Sequence, residues 1–210
     1  MKRTILLFFL AAFFASCSED NSYAPPYQMD FMDIRTNSLG QGWQAIADND
    51  EVLTLTNPIQ GLQADTVFRY VAVYTRDGEN IQLYQKTRAL YAKPSALEPG
   101  ETLHTDPVKV QSVWKVARYI NCTLLIPQKD KTHTLGIIDQ GVTTNSQGNR
   151  IARILLFHDA DNDTQAFSGT AYLSIPLQGF AQELTAGQDS IYLSIHTTAK
   201  DSVATYKFAY

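Results

Sequence analysis

The sequence predicts an all-β protein, with a small N-terminal OB-like β-barrel followed by a C-terminal immunoglobulin-like β-sandwich. Three observations lead there. Across residues 27–210 the apolar side chains recur mainly with period two, the repeat of a half-buried strand. The strand-like runs are short and fall into two sets. Between the sets lies PSALEPGETLHTDP (residues 94–107), whose three prolines and glycine have the composition of a domain boundary.

In the first set, residues 28–35 and 52–55 have strand-like composition, and Ala47-Asp48-Asn49-Asp50 suits a turn between neighbouring strands. The clearest hairpin covers residues 66–85. Its first arm puts the valines on one face and Phe68, Tyr70 and Tyr74 on the other, and Asp77-Gly78 is the favoured type I′ pair before Ile81-Gln82-Leu83-Tyr84. Four or five strands of this kind make a small barrel over residues 27–97. In the second set, residues 119–126, 132–138, 150–158, 169–175, 190–197 and 203–210 have strand length and alternation. Within 191–196 the aliphatics share one face and the polar-tipped side chains the other, as in a sandwich strand with one wet side. Residues 105–210 are therefore read as the sandwich, with residues 141–148 as a polar hairpin loop. One stretch departs from period two. Leu177, Phe180, Ala181 and Leu184 recur at helical spacing between Pro176 and Gly187, which predicts a short helix, weakened by about 1 kcal/mol at Gly179.

Ahead of both sets stands a leader. Met1-Lys2-Arg3 is a short basic start, and ILLFFLAAFF (residues 5–14) is an unbroken apolar run, long enough for a signal peptide and too short to span a bilayer. Ala15-Ser16-Cys17 then resembles a lipobox, with Phe14 where an aliphatic is usual. Residues 1–16 are read as a signal peptide and Cys17 as the lipidated residue. Several acyl chains hold a protein in a membrane at about 0.8 kcal/mol per buried methylene. Ser18-Glu19-Asp20 resembles a short form of the surface-export signal of Bacteroidota lipoproteins, and residues 17–26 form a tether ending in Pro25-Pro26. The expected address is the cell envelope, lipid-anchored to the outer membrane and facing the surface.

Composition narrows the function. The 210 residues are 44% hydrophobic and 18% charged, enough to bury a core. Loss of Lys2 and Arg3 with the leader takes the formal charge from −4 to −6, which argues against a nucleic-acid partner, because that affinity comes from lysine and arginine displacing counterions. With Cys17 acylated, Cys122 remains as a lone thiol in an alternating run, so neither a disulfide nor a cysteine metal cluster is expected.

Thr105-Asp106-Pro107-Val108-Lys109-Val110-Gln111-Ser112-Val113-Trp114, followed by Tyr119-Ile120-Asn121, resembles the start of the C-terminal domain in NigD-like lipoproteins. Lys115-Val116-Ala117-Arg118 departs from the pattern where a glycine-bearing turn is expected. The resemblance implies an OB-type barrel followed by a sandwich. It implies no chemistry, since the family name derives from association with a bacteriocin locus.

Candidate sites are few. His158-Asp159-Ala160-Asp161-Asn162-Asp163 sets a histidine among alternating carboxylates, which can turn several oxygens toward one hard cation, so His158, Asp159, Asp161 and Asp163 are the candidate metal ligands of a metal-dependent hydrolase. Thr164 and Thr170 stand where an EF-hand needs glycine and a bidentate acid, and the same residues suit a solvated hairpin turn, which is the favoured reading. No G-x-S-x-G occurs, and His104, His133, His158 and His196 are far apart in sequence, so no catalytic residue is assigned and no enzyme or cofactor is expected. OB-type barrels commonly stack ligands on flat rings, which makes Trp43, Tyr70, Tyr74 and Tyr84 the candidate ligand-binding residues. The competing reading makes Phe68, Tyr70 and Tyr74 core, and it is favoured because a small barrel must fill its interior. The leading expectation is a non-catalytic module for an envelope protein or glycan, with a metal-dependent hydrolase and a bacteriocin-associated or immunity-like protein as rivals.

Overall fold

A computed structural model describes residues 26–199 and 202–210. The expected signal peptide, Cys17 and all of the tether before Pro26 lie outside the described residues. The fold class is the expected one: a closed five-stranded barrel followed by two four-stranded sheets.

Strands β1 (Gln28–Thr36), β2 (Gly42–Ala47), β3 (Val52–Ile59), β4 (Val67–Asp77) and β5 (Asn80–Arg88) close in the order β1-β2-β3-β5-β4. Every pairing is antiparallel except β3 with β5. Alternation on β4 sends Phe68, Tyr70, Ala72 and Tyr74 inward, where they pack with Met32, Ile34, Leu53 and Ile81. One strand supplies all three large rings of this core, and its neighbours supply aliphatics.

The β4–β5 turn lies one residue later than expected. Asp77 pairs with Asn80, so the loop is Gly78-Glu79, and only Gly78 has positive φ, at 60°. A type I′ turn needs positive φ at both central residues; glycine at the first alone is the type II′ pattern. The β1–β2 loop is tied by Asn37, whose Oδ1 accepts from the N–H groups of Leu39 and Gln41, each at 3.0 Å. Its Gly40 has φ 70°, and a Cβ there would stand 2.2 Å from the Leu62 carbonyl oxygen, so any other residue displaces backbone.

After β5 the chain leaves the barrel at once. Strand β6 (Leu90–Tyr91) joins the sandwich beside β11 (Phe167–Pro176), in a sheet of order β6-β11-β8-β7 with β7 (Lys109–Lys115) and β8 (Tyr119–Gln128). The facing sheet runs β13-β12-β10-β9, from β9 (Thr134–Thr144), β10 (Arg150–Asp159), β12 (Ser190–Thr197) and β13 (Ser202–Ala209). The proline-rich stretch and Val108 after it run along the β13-β12-β10-β9 sheet, with bridges from Ser95 to Ile138, Thr105 to His158 and Val108 to Thr197. Ile120, Leu124, Ile154, Leu173, Ile175, Ile191, Leu193 and Ile195 are fully buried between the sheets, each contributing roughly 1.5–3 kcal/mol relative to exposure. Cys122 sits among them, and burial pushes its thiol up to about 12.

Two local expectations are corrected. The helix expected over residues 176–187 is a single 3-10 turn, Leu177–Phe180. Leu177, Phe180 and Leu184 still bury against the sandwich core, so the apolar spacing reflects docking, while Gly179 and the short span leave too few bonds to propagate a helix. Gly141 lies inside β9 rather than in a loop. Its φ of 84° places it at the bulge where the β9–β10 register shifts, and the hairpin loop is confined to residues 145–149.

Candidate functional site

Alternation on β4 turns Arg69 outward between two core aromatics, and in register it faces Asp33 of β1. The sandwich offers a matching pair, because Asn121 of β8 is in register with Ser174 of β11. The two pairs meet. Arg69 donates from Nη1 to Asp33 Oδ1 at 3.2 Å, from Nε to Ser174 Oγ at 2.9 Å and from Nη2 to Asn121 Oδ1 at 3.2 Å, and its Nη2 also bonds the Asp48 carboxylate. Asn121 Nδ2 donates to Asp48 Oδ2 at 2.7 Å, and Ser174 Oγ donates to Asn121 Oδ1 at 2.7 Å.

The Arg69 guanidinium also lies 4.1 Å from the centre of the Tyr119 ring. Tyr119 donates its hydroxyl to Asp33 at 3.0 Å; burial and then the Asp33 charge push that hydroxyl up to about 12. Arg118 bonds the same Asp33 carboxylate and stands 2.8 Å from Asp50. Burial opposes the Arg118 charge, but Asp33 outweighs it and raises its pKa. Phe31, Val71 and Ala89 make an apolar collar around this polar node with Trp114 and Tyr172 of the sandwich. A buried cation with this many satisfied donors holds the two domains in one orientation.

Two grooves flank the node. The first, about 1130 Å³, runs between β1 and β4 on the barrel side and β7, β8 and β11 on the sandwich side. Phe31, Trp114 and Tyr172 line it, with Phe31 meeting the other two rings edge-on at 5.3 and 5.7 Å. Asp30, which accepts the Tyr74 hydroxyl at 2.8 Å, and the amides of Asn49 and Gln111 add polar groups. An Arg76–Glu51 ion pair stands at its rim, where Arg76 holds the Glu51 carboxyl below its ordinary value. The second groove, about 1000 Å³, is lined by Arg35, Arg88, Arg118, Phe68 and Tyr91.

The four candidate ligand-binding aromatics do not form one face. Tyr70 and Tyr74 are barrel core, 6% and 3% exposed. Tyr74 still reaches the first groove through its hydroxyl edge, and burial followed by Asp30 raises that hydroxyl well above its ordinary pKa. Trp43 and Tyr84 are exposed at 42% and 47%, but Tyr84 lies beside Tyr70 in a cavity of about 440 Å³ that Trp43 does not line.

The four candidate metal ligands also do not converge. His158 is buried, its Nδ1–H donates to the Asp106 carbonyl with nitrogen and oxygen 2.8 Å apart, and its Nε2 lies 2.9 Å from His133 Nδ1. Burial lowers the His158 pKa. Asp163 instead caps the β8–β9 loop, accepting the N–H groups of Lys129 at 2.6 Å and Asp130 at 3.2 Å and facing His133 Nε2 at 3.2 Å. Burial works to raise its carboxyl, but these donors hold it well below the carboxylate range. Asp161 is exposed beside Lys131. Asp159 belongs to a different group: among the described residues, the one set of three acidic, histidine or cysteine side chains with ligand atoms within 4.8 Å of one another is His104, Asp106 and Asp159. Asp106 and Asp159 are already accepting the N–H groups of Ala160 and Asp161. The turn is a brace for one end of the sandwich, as the bonding of Asp and Asn to local backbone donors favours.

Sequence reading missed Arg69, Asp33, Asn121 and Ser174. The one available signal was a charged residue between core aromatics on a strand, and its partners lie 36, 52 and 105 positions away.

Among the described residues no helix is long and apolar enough to cross a membrane. No curated protein matches the chain. Solved structures do. A NigD-like immunity protein from Bacteroides caccae shares 24% identity at a TM-score of 0.70, over 89% of this chain and 99% of its own. A protein of unknown function from Bacteroides vulgatus shares 17% at 0.68, over 88% and 91%. A Bacteroides fragilis protein named as a lipoprotein shares 13% at 0.62, over 88% and 98%. At these identities the likeness is one of fold, spanning barrel and sandwich together. The family model of the NigD-like C-terminal beta sandwich domain matches residues 93–210, more than half of the sequence. The chain belongs to the NigD-like family.

Proposed function

We propose that this protein is a non-catalytic binding lipoprotein of the cell envelope, held to the outer membrane by lipid on Cys17, which takes a glycan in the groove between barrel and sandwich. The observation that carries this reading is the lining of that groove: the rings of Trp114 and Tyr172 stand beside Asp30, Asn49 and Gln111. Sugars present apolar C–H faces to aromatic rings and hydroxyl edges to carboxylates and amides, so this mixture suits them. Placement at a domain interface suits a ligand site, and the buried Arg69 node keeps its walls from having to order when ligand arrives.

A glycan array probed with the full-length chain tests this. Capture is expected, and it should be lost in Trp114→Ala and weakened in Gln111→Ala. Loss instead in a Trp43→Ala, Tyr84→Ala variant would move the site to the outer surface of the barrel, and no capture at all would refute a glycan ligand. A second reading, an immunity-like role, draws on the description of the Bacteroides caccae relative as an immunity protein. Unchanged bacteriocin sensitivity in a strain lacking the gene would remove it.

A further inference from the structure

Alternation on β4 sends Ala72 and Tyr74 into the barrel and leaves Val73 and Thr75 on its outer wall. Met29 of β1 is in register with Val73, so its side chain stands on the same wall. On the other side of β4, Val73 pairs with Gln85 and Tyr74 with Leu83, which leaves Tyr84 as the extra residue of a bulge. A bulge re-aims a side chain. Here the Tyr84 ring meets the Tyr27 ring edge-on over β4, with 4.9 Å between their centres.

Tyr27, Met29 and Tyr84 are 56%, 62% and 47% exposed. Further along the same face of β1, Phe31 packs against Trp114 and Tyr172, and Asp33 is buried beside Arg118 and Tyr119. The sandwich thus covers one end of this wall and leaves its apolar end open. Gln28, Thr75, Gln82 and Gln85 around that end are uncharged.

Tyr27 also marks where the chain enters the barrel, ten residues after Cys17. Ten residues reach about 35 Å at full extension. A folded chain of this length is about 40 Å across. With Cys17 in a bilayer, the side that carries Tyr27 therefore cannot be turned away from the membrane. Tethering makes any further contact with the bilayer intramolecular, so a small patch suffices to hold it. Tyrosine suits the boundary layer, with its ring in the apolar part and its hydroxyl among the headgroups, and the unbranched methionine adapts to it.

We propose that Tyr27, Met29 and Tyr84 form a membrane-seating patch, which rests in the headgroup layer of the bilayer that holds the Cys17 lipid. The proposal rests on the reading that Cys17 is acylated and is independent of what the groove binds.

Hydroxyl-radical footprinting read by mass spectrometry tests it, since tyrosine, methionine and phenylalanine all react. The lipidated protein on phosphatidylcholine vesicles is compared with the unlipidated chain of residues 18–210 in solution, which keeps every described residue. On vesicles Tyr27, Met29 and Tyr84 should lose labelling several-fold, while Tyr91 and Phe167, exposed on the sandwich, keep theirs. In a Met29→Gln, Tyr84→Gln variant the vesicle-to-solution ratio at Tyr27 should return toward one. Acylated Cys17 with the patch labelled as strongly on vesicles as in solution overturns the proposal. An unchanged ratio at Tyr27 in the variant also overturns it, because the tether alone would then be the shield. A mass showing no acyl chain on Cys17 overturns the anchor itself, and the patch with it.

Discussion

Replacing Arg69 by alanine removes the one cation that Asp33, Asp48, Asn121 and Ser174 share. The Asp33 side chain is only 4% exposed and cannot recover its hydration without opening the interface. Removing one member of a buried ion pair costs about 3–5 kcal/mol, and Arg118, which still reaches Asp33, places the expected loss near the lower end of that range. Against a typical stability of about 5–15 kcal/mol this is a large fraction. The two tryptophans allow the loss to be located, because Trp43 lies on barrel strand β2 and Trp114 on sandwich strand β7. With one tryptophan at a time changed to phenylalanine, urea unfolding followed by fluorescence should give coincident transitions in the wild type. In Arg69→Ala the transitions should move apart, each with a smaller m-value than the joint one, because the node that ties the domains is gone. A loss below about 1 kcal/mol with coincident transitions would refute the reasoning, since the guanidinium would then be replaceable by water.

Other tests address separate parts of the molecule. Cys122 is protonated in the fold up to about 12 but ionises in the unfolded chain near 9, so the unfolded state binds fewer protons between those values and stability falls as pH rises through that window. Cys122→Ala should flatten that fall by about 1.4 kcal/mol per pH unit at most, read from urea midpoints across the window. His158 has the opposite sign. Its folded pKa lies below the ordinary 6.5, so its stabilisation is complete above 6.5 and is lost as pH falls below it; His158→Gln should remove that part of the acid slope in thermal unfolding. Gly40→Ala should cost about 1–3 kcal/mol, because its Cβ meets the Leu62 carbonyl in a left-handed backbone, whereas Gly78→Ala, whose Cβ would meet open space, should cost about 1 kcal/mol. Equal effects at the two glycines in a denaturation series would show that φ alone matters.

How much was legible in the sequence depended on the distance over which each interaction acts. Local patterns carried the fold class: period two along Val67 to Tyr74 and Ile191 to His196 assigned strands and their inner faces, and the aromatic alternation on β4 foretold a filled barrel. Even there, the choice between Asp77-Gly78 and Gly78-Glu79 as the turn was settled by cross-strand register, which local composition does not specify. The grooves were not legible. Their walls come from strands as far apart in the chain as β1 and β11, and Arg35, Arg88 and Trp114 look like ordinary strand residues until closure of the barrel and docking of the sandwich bring them beside their neighbours. The acidic turn shows the converse limit, for its composition advertised a cation site while tertiary contacts gave His158 to Asp106 and His133, and Asp163 to the backbone of the β8–β9 loop. By itself the sequence determined the fold class, most of the longer strands with their buried faces and the family to which the chain is similar, because those depend on side-chain periodicity and local motif; β2 and the two-residue β6 carried no such pattern. Only the tertiary structure decided that Arg69 is the buried tie between the domains and that two chemically different grooves lie beside it, because hydrogen bonds and charges act over a few ångströms of space and not along the chain.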